Sequence, residues 1–276
     1  MTVKVVRSAH DENGVSFLSA VGDICSNAST ETRKVAFDCE GVNLCRVGTL
    51  EIVSVCFEQE DNTKSIFLLD LGKNEGTPDT SVVRALKDLL ENEHVIKIIH
   101  DCRMDADALF HHHGISLNNV HDTSCFHMHI AGCEDKNLNH VLVYNGLEAN
   151  CHREQGIYKR NPSFWSQRPL TKQMIDWASS DVDKLFTLAS KQLASSINKD
   201  SAIAESKKYA RYARDMKVAT GLHVRCPGLF IGRRGANLRS LQTRTGTLVY
   251  QDGSNGWFVF YHDTSSLDTV KRAMMN

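Results

Sequence analysis

Along the first 200 residues, short apolar runs of strand length alternate with stretches whose apolar positions recur every three or four residues. VKVV at 3–6 reads as a strand, and helical spacing follows over 15–25. VAFDCEG at 35–41, LEIVSVCF at 50–57 and SIFLLDL at 65–71 read as strands. Val82, Val83, Leu86, Leu89 and Leu90 fit one helix face. HVIKIIH at 94–100 is strand-like, and a helix over 102–112 is stopped by Gly114. A strand meander followed by strand–helix alternation predicts an α/β fold, a mixed sheet flanked by helices.

The pattern continues as one helix over 170–193, capped by Thr171, with Met174, Ile175, Ala178, Leu185, Phe186 and Ala189 on its buried face. SINKDS at 195–200 is polar and reads as a link to a helix over 202–216. After Gly221 the elements shorten. A strand over 218–226 leads to a helix, a glycine-bracketed turn and a second helix over 229–246. Strands at 247–253 and 256–262 would pair around Ser254–Asn255, and a last helix covers 264–275. The division predicted is a large domain over 1–200, a basic linker helix over 201–216 and a small α+β domain over 217–276.

Charge sharpens that division. The net charge of −1 conceals −8 over residues 1–200, +2 over 201–216 and +5 over 217–276. An acidic body with a basic tail points to nucleic-acid contact at the tail. No apolar run reaches membrane-spanning length, and the opening MTVKVVRSAHDENG has no apolar signal core. The nine cysteines are an odd number without a C-x-x-C pair, so they read as reduced thiols of a cytoplasmic or nuclear protein.

The chemistry lies in acids. Asp38 and Glu40 are two apart in an apolar strand, so both leave the same face. Buried acids are costly unless compensated, and oxygen ligands favour Mg2+ or Mn2+. D-x-E alone is common by chance. Asp101, Asp105 and Asp107 lie in the strand-to-helix segment 97–109, and Asp181 lies on the long helix. Each of these, taken singly, reads as a solvated surface acid, and only the set in this order outweighs that reading.

Taken together, FDCEG at 37–41, HDCRMDADAL at 100–109 and WASSDV at 177–182, with FWSQRPLT at 164–171, resemble the DEDD superfamily of 3′–5′ exonucleases. The resemblance covers residues 3–193 and lies in the ribonuclease D-like branch, nearest its Egalitarian type. It implies a ribonuclease H-like sheet. It also implies Asp38, Glu40, Asp105 and Asp181 as ligands of two ions, Mg2+ or Mn2+, with nucleotides released singly from a 3′ end. Asp101 and Asp107 fall off the motif. Trp177 stands where the branch has a tyrosine, four residues before the last aspartate. Asp176 stands where a related subgroup has a histidine. A phenol both donates and accepts a hydrogen bond, whereas an indole only donates, so Trp177 predicts slow turnover. Phe164 and Trp165 read either as stacking surfaces for bases or as packing for the last helix. Arg168 reads either as a phosphate contact or as a brace for a carboxylate.

Ile231-Gly232-Arg233-Arg234-Gly235 matches I-G-x-x-G, and residues 218–276 resemble a type I KH domain. The resemblance implies a loop that clamps about four single-stranded nucleotides, with Lys208 and Arg211 of the preceding helix adding basic surface. Cys125, His127, His129 and Cys133 match no common zinc spacing and, like His111–His113, read as core thiol and half-exposed imidazoles.

Two functions follow. One is a metal-dependent 3′–5′ exonuclease on single-stranded RNA, with single-stranded DNA as the alternative substrate and no membrane role. The other is a catalytically silent RNA-binding adaptor, whose exonuclease fold serves protein partners or a homodimer. Two ions among the four acids would favour the first, and a Lys or Arg side chain filling that space would favour the second.

Overall fold

The computed structural model describes residues 1–26, 33–59, 61–72, 78–132, 137–154, 156–252 and 256–276. They form two compact units, Met1–Arg211 and Tyr212–Asn276.

In the first unit the chain runs β1 (Thr2–Val6), α1 (Glu12–Ser26), β2 (Arg33–Glu40), β3 (Ile52–Glu58), β4 (Lys64–Asp70), α2 (Thr80–Glu91), β5 (Val95–Ile99) and α3 (Arg103–His113). It continues through β6 (Val120–Asp122), α4 (Thr123–Ala131), α5 (Leu138–Tyr144), α6 (Ile157–Arg160), α7 (Lys172–Asp183), α8 (Leu185–Leu193) and α9 (Lys199–Tyr212). The six strands lie in the order β1-β4-β3-β2-β5-β6. β2–β3 and β3–β4 are antiparallel, while β1–β4, β2–β5 and β5–β6 are parallel. The mixed α/β sheet flanked by helices is therefore as the periodicity predicts.

Side-chain alternation assigns the two faces. Val35, Phe37 and Cys39 of β2 and Val53, Val55 and Phe57 of β3 join Phe17, Leu86 and Leu89 in one core, the side covered by α1 and α2. Ala36 of β2 and Ile52 and Cys56 of β3 join Trp177, Ala178 and Leu188 in the other, the side covered by α7 and α8. Asp38 and Glu40 continue the Ala36 face, so the period of two delivers both acids to the α7 side. Their register partners on β3 are Ser54 and Ile52.

The structure differs from the predicted elements in three places. The helix expected over 170–193 divides at Lys184, where the Asp183 carbonyl accepts from Lys64 Nζ at 2.5 Å. The expected linker helix is α9, and it is docked rather than free. Ser206 Oγ accepts from Asp122 N at 3.2 Å, and Tyr209 is buried with the Arg103 guanidinium 4.5 Å from its ring centre. β6 and α4–α6 are additions that the sequence pattern did not resolve.

The second unit runs β7 (Lys217–Leu222), α10 (Pro227–Ile231), α11 (Ala236–Thr245), β8 (Leu248–Gln251), β9 (Trp257–Tyr261) and α12 (Thr264–Met275). Its antiparallel sheet has the order β7-β9-β8, and Phe230, Leu241, Trp257, Val259 and Val270 fill its core. The turn expected at Ser254–Asn255 lies outside the described residues. No helix among the described residues is long and apolar enough to cross a membrane.

His121 on β6 is buried, stacks on Phe126 at 3.8 Å and bonds Gln192 Oε1 through Nε2 at 3.1 Å. Burial pushes its pKa down to about 4. Stability from the neutral ring is therefore complete above the unfolded value near 6.5 and is lost as pH falls toward 4, because only the unfolded chain gains the proton. Urea unfolding at about pH 7 and about pH 5 should show the native protein losing roughly 2 kcal/mol more than His121→Phe. Equal losses would mean that His121 is not the titrating group.

Candidate active site: a carboxylate centre on the sheet

α7 brings the third acid to the sheet by the same stripe that packs it. Met174, Trp177, Ala178 and Asp181 are spaced by three and four residues, and all four are buried. Oxygens of Asp38, Glu40 and Asp181 lie within 4.8 Å of one another, the arrangement expected of a metal-binding group. Asp105, the fourth expected ligand, lies outside this trio. It is buried on α3, and its Oδ1 accepts from Cys39 N at 3.0 Å.

The electrostatics mark the trio as under-compensated. Asp38 is held well above the usual carboxylate range by burial, then by Asp105 and Asp181. Glu40 is raised by burial, then by Asp38 and Asp181. Asp105 is pushed up to about 7, chiefly by burial. Glu40 Oε1 is buried and has no hydrogen-bond partner among the described residues. Converging oxygens, one of them unpartnered, fit a hard divalent cation.

A guanidinium already reaches this centre. Arg153 Nε lies 2.9 Å from both oxygens of Asp181, and Nη2 lies 2.8 Å from Oδ2. Asn150 Nδ2 donates to Oδ1 at 2.5 Å. Burial opposes the arginine charge, but Asp181, Asp38 and Glu40 overrule it and raise the pKa of Arg153. Neither Arg153 nor Asn150 was recognised from the sequence. Both lie between α5 and α6, where no periodicity or motif marks a position.

The ambiguous residues resolve by packing. Trp177 is 3% exposed, with its ring 5.6 Å from Trp165 and 5.8 Å from Phe164, and Arg153 lies 5.9 Å from its centre. Phe164 and Trp165 are themselves buried, so all three rings pack the core beneath the centre. Arg168 is a brace: Nη2 lies 2.6 Å from Asp70 and 3.4 Å from Glu51, and Nη1 donates to Trp165 O at 2.7 Å. Gly72 makes room, since a Cβ there would sit 2.5 Å from Arg168 Nη2. Asp107 is fully buried against Arg46, and Asp101 pairs with Arg103, so both are structural. Cys125 and His127 are buried and His129 is exposed, while Cys133 lies outside the described residues. The metal-like grouping among the described residues is that of the carboxylates.

In the second unit, Gly232 at φ 73° and Gly235 at φ 77° hold a turn that an L side chain would strain. Asn237 Nδ2 donates to Leu229 O at 2.7 Å and Arg239 Nη1 to Arg234 O at 2.7 Å, fixing the turn from α11. Arg233 and Arg234 are exposed, and Ile231 packs on the core. Lys208 and Arg211 belong to the first unit, where they line a cavity of 340 Å³ with Leu117 and Asn118.

The mixed sheet with helices on both faces is the ribonuclease H-like exonuclease fold. A 3′–5′ exonuclease family profile matches residues 15–197, and the chain belongs to that family. It is 29% identical over 165 residues to piRNA biogenesis protein EXD1 of Homo sapiens, covering 54% of this chain and 30% of that protein. It is 34% identical over 100 residues to ribonuclease D of Nitrobacter hamburgensis, covering 36% and 24%. The matched segment thus spans less than a third of these curated relatives. Trypanosoma brucei RNase D has a similar structure, with TM-score 0.60 at 19% identity over 77% of this chain and 73% of that one. Brucella melitensis NrnC with bound Mg2+ has TM-score 0.55 at 18% identity over 76% and 90%. At such identities the likeness is one of fold.

Removing one partner of a buried ion pair strands the others. Arg168→Ala, which leaves buried Glu51 and Asp70 short of a cation, should cost about 3–5 kcal/mol in urea unfolding. A change below about 1 kcal/mol would show that the brace is dispensable.

Proposed function

We propose that this chain is a metal-dependent 3′–5′ exonuclease of single-stranded RNA, with Asp38, Glu40, Asp105 and Asp181 holding two divalent ions, Mg2+ or Mn2+. The carrying observation is the convergence of Asp38, Glu40 and Asp181 around the unpartnered Glu40 Oε1. Acids of a retired site would have no reason to stay both buried and under-compensated. Divalent cations bound there supply Lewis-acid activation of water and neutralise charge at the phosphodiester. Asp38 and Glu40, fixed by the central strand, and Asp181, fixed by α7, set where that charge is held. Asp105 steadies the strand through Cys39 N and completes the acidic set. The ribonuclease D likeness supports an RNA substrate, and the Mg2+ of the NrnC neighbour supports the metal. Trp177 has no oxygen with which to accept a hydrogen bond from water, so it orients a nucleophile poorly. The expected result is a slow enzyme.

The second unit is read as a type I KH domain that delivers single strands. Its support is the strand, helix, helix, strand, strand, helix order, the sheet order and the turn at Ile231, Gly232, Arg233, Arg234 and Gly235. Two exposed arginines on a glycine turn offer phosphates both charge and close backbone approach.

Arg153 favours the second reading, an Egalitarian-type RNA adaptor whose exonuclease fold is silent and serves protein partners or a dimer. A guanidinium on Asp181 is the filled centre such a protein would have.

Incubation of 5′-labelled and 3′-labelled RNA with Mg2+ or Mn2+ separates the two readings. The enzyme shortens 5′-labelled RNA stepwise and releases labelled mononucleotide from the other. Asp38→Ala should abolish both, and Trp177→Tyr should be faster by about tenfold or more. No shortening with either metal, or equal shortening by Asp38→Ala, overturns the enzyme reading. Single-stranded RNA affinity should fall with added salt, and Gly232→Asp combined with Arg233→Ala should lower affinity and flatten the salt slope by roughly one unit. Unchanged affinity and slope would remove the turn from the binding surface.

A further inference from the structure

We propose that Arg153 is an exchangeable counter-ion, whose guanidinium takes the place of a divalent cation in the carboxylate centre and must leave Asp181 before one binds. The inference rests on the metal-binding reading of Asp38, Glu40 and Asp181, and extends it by giving the site a built-in competitor.

Charge is the first argument. Arg153 and Asn150 together place donors on both oxygens of Asp181 at 2.5–2.9 Å. Their three hydrogens take most of the carboxylate's roughly four lone-pair sites, and a cation at the remaining one would lie against the guanidinium charge, so fork and cation compete there. Incompleteness is the second. One positive charge faces three converging carboxylates, and it leaves Glu40 Oε1 without a hydrogen bond. The arginine holds the centre but does not satisfy it.

Exposure is the third argument. The Arg153 side chain is 36% exposed, whereas that of Arg168 is 6% exposed. Arg153 also lies on a stretch without helix or strand, ahead of Gly156 at φ 76°. Beside it opens a cavity of 660 Å³ lined by Glu154, which pairs with Arg160, and by Asp176, which pairs with Lys172. This gives the guanidinium room to turn outward toward water. The face of Trp177, 5.9 Å away, supports the inward position.

A resident that is inward in 90–99% of molecules lowers apparent metal affinity by about 10- to 100-fold. Mn2+ titration of the full chain, read by the electron paramagnetic resonance of free ion, tests this alongside thermal melting in EDTA. Arg153→Ala should bind Mn2+ about tenfold or more tighter than the native protein. It should also melt lower in EDTA and regain more on Mn2+ addition. Arg153→Lys, which keeps the charge but loses the fork, should bind with intermediate affinity, and it carries the test if the alanine protein fails to fold. Equal Mn2+ affinity in the native and Arg153 proteins, with binding lost in Asp38→Ala, overturns the counter-ion and leaves the metal site standing. No Mn2+ binding by any of them overturns both.

Discussion

Everything at the sheet depends on one electrostatic constraint, three carboxylates brought together, Glu40 and Asp181 buried and Asp38 partly so. A buried charge without a partner costs several kcal/mol, and three of like sign compound the penalty. The fold tolerates this only because the acids stand on its most constrained parts. β2 has β3 on one side and β5 on the other, and α7 is locked to the sheet by Met174, Trp177 and Ala178. A looser scaffold would let the acids separate into solvent. Rigid core on one side and uncompensated charge on the other are two aspects of the same placement.

How the chain partly relieves that charge can be read by comparing its arginines. Arg46 and Arg168 each fork onto a carboxylate and are 17% and 6% exposed. Both lie away from the trio, and both tie distant segments together, Arg46 to α3 and Arg168 to β4. Arg153 makes a fork of similar geometry, but from a stretch without regular structure and with a third of its side chain in water. Identical chemistry therefore serves as a fixed brace in two places and as a weaker tenant in the third. Burial, not bond length, distinguishes them.

The sequence exposed the scaffold better than the centre. Period-two alternation placed Asp38 and Glu40 on one face, and a three-four stripe marked the helix that carries Asp181, which the motif singled out. Those patterns repeat over many residues, so local noise does not erase them. Arg153, Asn150 and the break at Lys184 depend on single contacts with segments far along the chain, such as Lys64 reaching the Asp183 carbonyl. Such contacts leave no period. α9 shows the same limit: its basic residues marked a linker helix, while the packing of Ala202, Ser206 and Tyr209 on its other side against the first unit left no pattern. Asp105 was found by motif, but its bond to Cys39 N required the fold.

Trp177 connects the two readings of this protein through one side chain. Replacing a phenol by an indole removes an acceptor that could orient water, which argues for weak chemistry. The same replacement provides the aromatic face best able to hold a cation, and Arg153 lies over it. On the nuclease reading the indole costs turnover, and on the adaptor reading it supports the guanidinium. Glu40 Oε1, with no hydrogen-bond partner among the described residues, is the part of the centre that Arg153 does not compensate.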